Sequence, residues 1–168
     1  MMKTAWVAGA SGLIGGHLVR LLSNNSDYEK VIAFVRKPIN EEWAQHEKVE
    51  QWCINYDELL AKDTTNKVDD LYCALGSTTR KTPDKNTYYQ IDVNYPLTFA
   101  ELGLSHGAKY FGLVSSHGAK ATSSISYYLK MNSRSILRAN SKSASSLNLL
   151  ATNGNANNAT TLPHHHSI

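Results

Sequence analysis

The sequence predicts an α/β protein built on a doubly wound parallel sheet in three layers (α/β/α). Three observations lead there. Apolar, strand-like runs alternate with segments of helical period through most of the chain. Strand, glycine loop, helix and strand follow one another within about thirty residues, the size of a βαβ unit. The bulk figures, 168 residues with 42% hydrophobic and 18% charged, fit one ordinary globular domain able to bury a core.

Each element has its own signal. Thr4 to Ala8 is a short apolar run ending at Gly9, which reads as a buried strand. From Leu13, apolar residues recur at Ile14, Leu18, Leu21 and Leu22, the helical period, until Ser23-Asn24-Asn25-Ser26 stops it. Val31 to Val35 is the second strand, closed by Pro38, and must lie parallel to the first. Val49 to Ile54 reads as strand three, Asp57 to Lys62 as a short helix, and Asp70 to Leu75, ended by Gly76, as strand four. A polar loop from Ser77 to Asn86 precedes a helical stretch from Thr87 to His106, in two pieces because Pro96 suits a first turn. Gly107 stands where a helix C-cap is wanted, and Tyr110 to Val114 is strand five.

Beyond Met131 the texture changes. All fourteen acidic residues lie between Asp27 and Glu101. Residues 132–168 contain no acidic and no aromatic side chain and are dominated by Asn, Ser, Ala and Thr. Such a segment buries too little apolar area to offset its ordering entropy, so an irregular tail is expected. The domain reading is therefore 1–131 for the sheet and 132–168 for a low-complexity tail.

Composition also bounds function. A formal charge of +3 is too small for a nucleic-acid binder, which needs a dense basic patch. The apolar N-terminal stretch is broken by glycines and lacks a cleavage site, and no run is long enough to span a bilayer. The expectation is a cytoplasmic protein without a membrane partner. Cys53 and Cys73 lack the spacing of a redox or metal motif and read as two buried free thiols. His164, His165 and His166 are adjacent residues of a biased tail without fixed geometry, so no metal site is assigned.

The chemistry is concentrated in Gly9-Ala10-Ser11-Gly12-Leu13-Ile14-Gly15. Gly9 permits a tight turn after the strand, Gly12 lets the backbone approach phosphate, and Gly15 lets helix and strand pack closely. The helix N-terminus then offers unpaired N–H groups and partial positive charge to a pyrophosphate. Strand two should end beside the adenosine ribose, where an NAD-selective site carries Asp or Glu. Here Arg36 and Lys37 follow Val35. Two cations suit a 2′-phosphate, so NADP is the expected cofactor and NAD the alternative.

Further motifs carry a resemblance. GASGLIG (9–15), FVRKP (34–38), CALGSTTRK (73–81) and LVSSHGAKATSSISYYLKM (113–131) together resemble the atypical short-chain dehydrogenase/reductases, in particular bacterial oxidoreductases related to the TIP30-type proteins. The resemblance covers residues 1–131. It implies a Rossmann domain binding NADP(H), with a Ser-Tyr-Lys set at the carboxyl edge of the sheet. Gly9, Ser11, Gly12, Leu13 and Ile14 would meet the pyrophosphate, beside Gly15. Arg36, with Lys37, would meet the 2′-phosphate, and Leu75, Gly76 and Ser77 would lie along the path from adenosine to nicotinamide. Ser115 or Ser116 would hydrogen-bond a substrate carbonyl, with Ser116 the catalytic choice and Ser115 beside the cofactor. Tyr128 would donate the proton.

One departure stands out. In these enzymes a lysine follows the tyrosine by four residues, one helical turn on, where it lowers the phenol pKa. Asn132 occupies that position here. Loss of motif and change of composition coincide at Asn132, so a truncated fold with a frameshifted or otherwise foreign tail is expected. The implied function is an NADP-dependent oxidoreductase acting on a small carbonyl or alcohol, inactivated if the lysine is indispensable. A non-catalytic NADP(H)-binding sensor and a non-functional fragment are the alternatives. A homo-oligomer is compatible with all three.

Overall fold

The fold is given by a computed structural model, which describes residues 2–61, 66–78, 80–115 and 148–153. Six parallel strands form one sheet in the order β3-β2-β1-β4-β5-β6. They are β1 (Lys3–Ala8), β2 (Tyr28–Val35), β3 (Val49–Cys53), β4 (Asp70–Cys73), β5 (Tyr110–Ser115) and β6 (Asn148–Asn153). The reversal between β1 and β4 is the switch point of a doubly wound fold, where the strands' carboxyl ends open a crevice.

Alternation along each strand sends one set of side chains to each face. On one face Trp6, Ile32, Phe34, Leu71 and Phe111 pack with Phe99, Ala100 and Leu102 of α3 (Tyr95–Ser105). Trp6 lies 5.3 Å from Phe34, 5.8 Å from Trp52 and 6.5 Å from Phe99, centroid to centroid. On the other face Ala5, Val7, Val31, Ala33 and Val35 pack with Val19 and Leu22 of α1 (Leu13–Ser23). The near-continuous burial of β1 and β2 is what a parallel strand covered on both faces requires. Gly103 marks the closest approach of α3: a Cβ there would run into the Leu71 side chain.

Local differences from the sequence reading have physical causes. The short helix after β3 is a 3-10 turn, Tyr56–Ala61. The helical stretch begins earlier, with α2 (Lys85–Tyr89), because Asp84 caps it by accepting from Thr87 N at 2.7 Å. It then divides into three, a π-helical segment, Gln90–Asn94, separating α2 from α3. Pro96 lacks the N–H that the carbonyl four residues earlier would use, and the helix widens there. Gly107 adopts φ +95°, the left-handed conformation of a helix stop.

Two expectations need correction. Both cysteines are free, but only Cys73 is buried; Cys53 is exposed. Cys53 ends the outermost strand, where alternation turns it away from the apolar face that holds Trp52. Asn148–Asn153, inside the tail expected to be irregular, pairs with β5 from Tyr110↔Asn148 to Ser115↔Asn153. Backbone groups along the free edge of β5 can recruit a strand whatever its composition. The rest of residues 132–168 lies outside the described residues.

Candidate coenzyme site

Every strand is parallel, so the carboxyl ends of β1, β2, β4 and β5 face the same edge of the sheet. β1 ends at Ala8 and the chain turns at Gly9, whose φ is +79°. A Cβ on Gly9 would stand 2.7 Å from the Ala74 carbonyl oxygen, so the loop fits against β4 only with glycine there. Gly12 N donates to Gly9 O at 3.0 Å and closes the turn. A Cβ on Gly15 would collide with the Gly9 carbonyl, which brings the first turn of α1 hard against the loop.

This geometry leaves the N-terminus of α1 open. Gly12 is its N-cap, with no side-chain capping bond and no acidic residue in the first turn. The leading amides therefore point outward without a side-chain acceptor, at the positive end of the helix dipole. Ser11 and Gly12 are exposed beside them. Leu13 and Ile14 are 81% and 44% exposed, unusual for large apolar side chains at a helix start.

Arg36 and Lys37 follow β2, both exposed at the same edge. The loop after β4 begins at Ala74, whose N–H donates to Ala8 O at 2.9 Å. Leu75 and Ser77 are half-buried and Gly76 is exposed. Ser77 N donates to Asp92 Oδ1 at 2.9 Å, and its hydroxyl lies 2.6 Å from that of Thr82. Asp92, only 7% exposed, projects from the π-helical segment beneath this loop. Burial raises its pKa, against the opposing hydrogen bonds from Tyr88 and Ser77. Behind the loop, burial pushes the Cys73 thiol up to about 12, which keeps it neutral and unreactive.

Ser115 ends β5. Its hydroxyl is buried and finds no hydrogen-bond partner among the described residues, an arrangement a structural serine rarely keeps. Ser116 and Tyr128 lie outside the described residues, as does Asn132. The structure thus gathers Gly9, Ser11, Gly12, Leu13, Ile14, Gly15, Arg36, Lys37, Leu75, Gly76, Ser77 and Ser115 along one edge.

Sequence reasoning missed two residues here. Asp92 reaches Ser77 from the π-helical segment, and the Tyr56 hydroxyl accepts from Gly9 N at 3.2 Å. Only the breakpoint at Pro96 hinted at the first; no local pattern marked the second.

A family model described as the NAD dependent epimerase/dehydratase family matches residues 5–134. The chain belongs to this family. Its members bind NAD(P) and act with it on small molecules. Protein HTATIP2 of Rattus norvegicus is 30% identical over 126 residues, covering 74% of this chain and 52% of the rat protein. The mitochondrial protein FMP52 of Debaryomyces hansenii is 25% identical over 127 residues, 76% of this chain and 55% of the yeast protein. The chain therefore spans about half the length of the curated relatives it matches. Among solved structures, UDP-glucose 4-epimerase of Thermotoga maritima superposes with TM-score 0.69 at 13% identity, over 88% of this chain and 54% of the epimerase. UDP-glucuronic acid 4-epimerase of Bacillus cereus, in complex with NAD, gives 0.67 at 16% identity, over 88% and 55%. At such identities these structures speak for the Rossmann fold alone.

The residues of the family member described here fit a dinucleotide on three counts. The loop is closed to any Cβ at Gly9 and Gly15. The helix behind it has an uncapped N-terminus. A buried hydroxyl, that of Ser115, without a partner among the described residues, sits at the far end of the same edge.

Proposed function

We propose that this chain binds NADP(H) along the carboxyl edge of its sheet and derives from an oxidoreductase of the atypical short-chain type, acting on a small carbonyl or alcohol. The observation that carries the reading is the uncapped N-terminus of α1, held open behind a loop that admits no side chain at Gly9 or Gly15. Amides in an αN-terminal position of this kind are a ready site for a pyrophosphate.

When bound, the coenzyme supplies the hydride donor or acceptor. The chain's own residues orient and protonate. Amides around Ser11, Gly12, Leu13 and Ile14 hold the pyrophosphate. Arg36 and Lys37 take the 2′-phosphate, where an acidic residue would have favoured the 2′-OH of NAD. Leu75, Gly76 and Ser77 flank the path toward the nicotinamide. In this reading Ser115 sits beside the coenzyme, Ser116 polarises the substrate carbonyl and Tyr128 delivers the proton. The cytoplasm is the proposed location.

A second reading is a coenzyme-binding sensor without turnover, and Asn132 favours it. A tyrosine near its ordinary pKa of about 10 gives little acid–base work at neutral pH without a neighbouring cation. Titration with NADPH, followed by fluorescence, tests the site. Absorbance at the nicotinamide band with a panel of small carbonyls then separates the readings. Binding with turnover supports the enzyme, and binding alone supports the sensor. Absence of binding removes both.

A further inference from the structure

The glycine loop and Arg36 stand at the ends of neighbouring strands, and one phenol spans the gap between them. β1 and β2 stay in register up to Ala8↔Phe34. Just beyond this last rung, the Tyr56 hydroxyl accepts from Gly9 N at 3.2 Å and donates to Phe34 O at 3.3 Å. A phenol can donate and accept at once, so it adds a rung where backbone pairing has stopped.

The phenol itself is held firmly. It is 6% exposed and its ring stacks on Tyr95, with centroids 5.3 Å apart and planes at 29°. The Tyr95 hydroxyl donates to Asp57 Oδ1 at 2.8 Å, and Gln90 Nε2 donates to the same oxygen at 3.3 Å. Burial raises the Tyr56 pKa above the ordinary tyrosine value, so the proton it gives to Phe34 O stays in place at neutral pH. Arg36 is near enough for its charge to act on both Tyr56 and Tyr95.

A ligand with two anionic groups on one frame gains most from a host that presents both binding groups at a fixed separation. We propose that Tyr56 is a specificity-determining positioning residue, whose hydroxyl holds the glycine loop and the Arg36-bearing end of β2 so that one coenzyme's diphosphate and ribose 2′-phosphate are met together. The proposal rests on the NADP(H) reading above. It assigns Tyr56 no contact with the coenzyme.

The test measures dissociation constants of NADPH and NADH for the full chain, Tyr56→Phe, Arg36→Ala and the double variant. Tyr56→Phe removes one hydroxyl and keeps the stacked ring. It should weaken NADPH about tenfold while NADH, which lacks the 2′-phosphate, shifts by less than about twofold. In the Arg36→Ala background, Tyr56→Phe should cost NADPH nothing further. A general loosening of the fold lowers both affinities alike, so the ratio between coenzymes separates positioning from stability. Equal losses for the two coenzymes, no loss for either, or additive losses in the double variant would each overturn the proposal. Wild-type protein that binds neither coenzyme refutes the site reading itself, and the role of Tyr56 falls with it; that result is visible before any variant is made.

Discussion

The two edges of the sheet are built on opposite plans. At the amino edge the polar groups find each other: the Tyr28 hydroxyl donates to Asp70 at 2.6 Å, Lys3 pairs with the same carboxylate at 3.2 Å, and Asp69 accepts from Thr4 N at 2.9 Å. At the carboxyl edge, beside the bonds that Ser77 and Tyr56 make, several are left open: α1 is uncapped, Arg36 and Lys37 are exposed, and Ser115 Oγ has no partner among the described residues. Strands of one parallel sheet thus pair these polar groups at one end and leave a set of them presented at the other. An unmet buried polar group costs stability, so the Ser115 hydroxyl, beside the exposed cations and the open helix end, points to a ligand that would meet it.

Substitutions at the two edges should therefore separate binding from stability. The largest effect is expected for Gly12→Asp, which sets an anion against the pyrophosphate. NADPH affinity should fall by at least about a hundredfold, since like charges brought together cost several kcal/mol. Retained affinity in a fluorescence titration would count against the loop as the phosphate site. At the other edge, Asp70→Ala removes the carboxylate that the Tyr28 hydroxyl and Lys3 share and leaves the hydroxyl only Tyr72 Oη, 3.1 Å away. It should lower unfolding free energy by about 2 kcal/mol and leave the NADPH dissociation constant unchanged; a urea titration and a binding titration on the same sample check both halves.

Arg36→Ala sharpens the contrast within the open edge. Loss of one charge-assisted contact should weaken NADPH about tenfold and barely touch NADH. Equal losses would move the 2′-phosphate site elsewhere. The smallest effect is expected at Asp92. Its folded-state pKa is raised from 3.8 by burial, so its charged form is less welcome in the folded chain than in the unfolded one. Stability is then fullest at low pH and is lost as pH rises through the folded pKa. Asp92→Asn keeps an acceptor for Ser77 N and removes that dependence. The variant should match wild type near pH 4 and exceed it at pH 8 in urea midpoint. A difference that grows toward low pH would reverse the assignment.

Much of the open edge was legible in the sequence because its signals are local. A glycine with positive φ, a helix opened without a cap and two cations after a strand are written in consecutive residues. The closed edge was not legible. Tyr28 and Asp70 stand 42 residues apart, and neither belongs to a pattern that names the other. Asn148–Asn153 was missed for a different reason: its pairing with β5 runs through backbone groups, which a composition argument does not weigh.

Hydrophobic periodicity and glycine placement, properties of short windows, by themselves determined the order of strands and helices, the loop at Gly9–Gly15 and the position of Arg36. Tertiary structure alone decided that the Tyr56 hydroxyl lies between Gly9 and Phe34, 47 and 22 residues away, and that Asp92 sits under Ser77, 15 residues away. The physical reason is that a hydrogen bond between distant residues depends on how strands are ordered and layers are packed. Those distances exist only once the chain has folded.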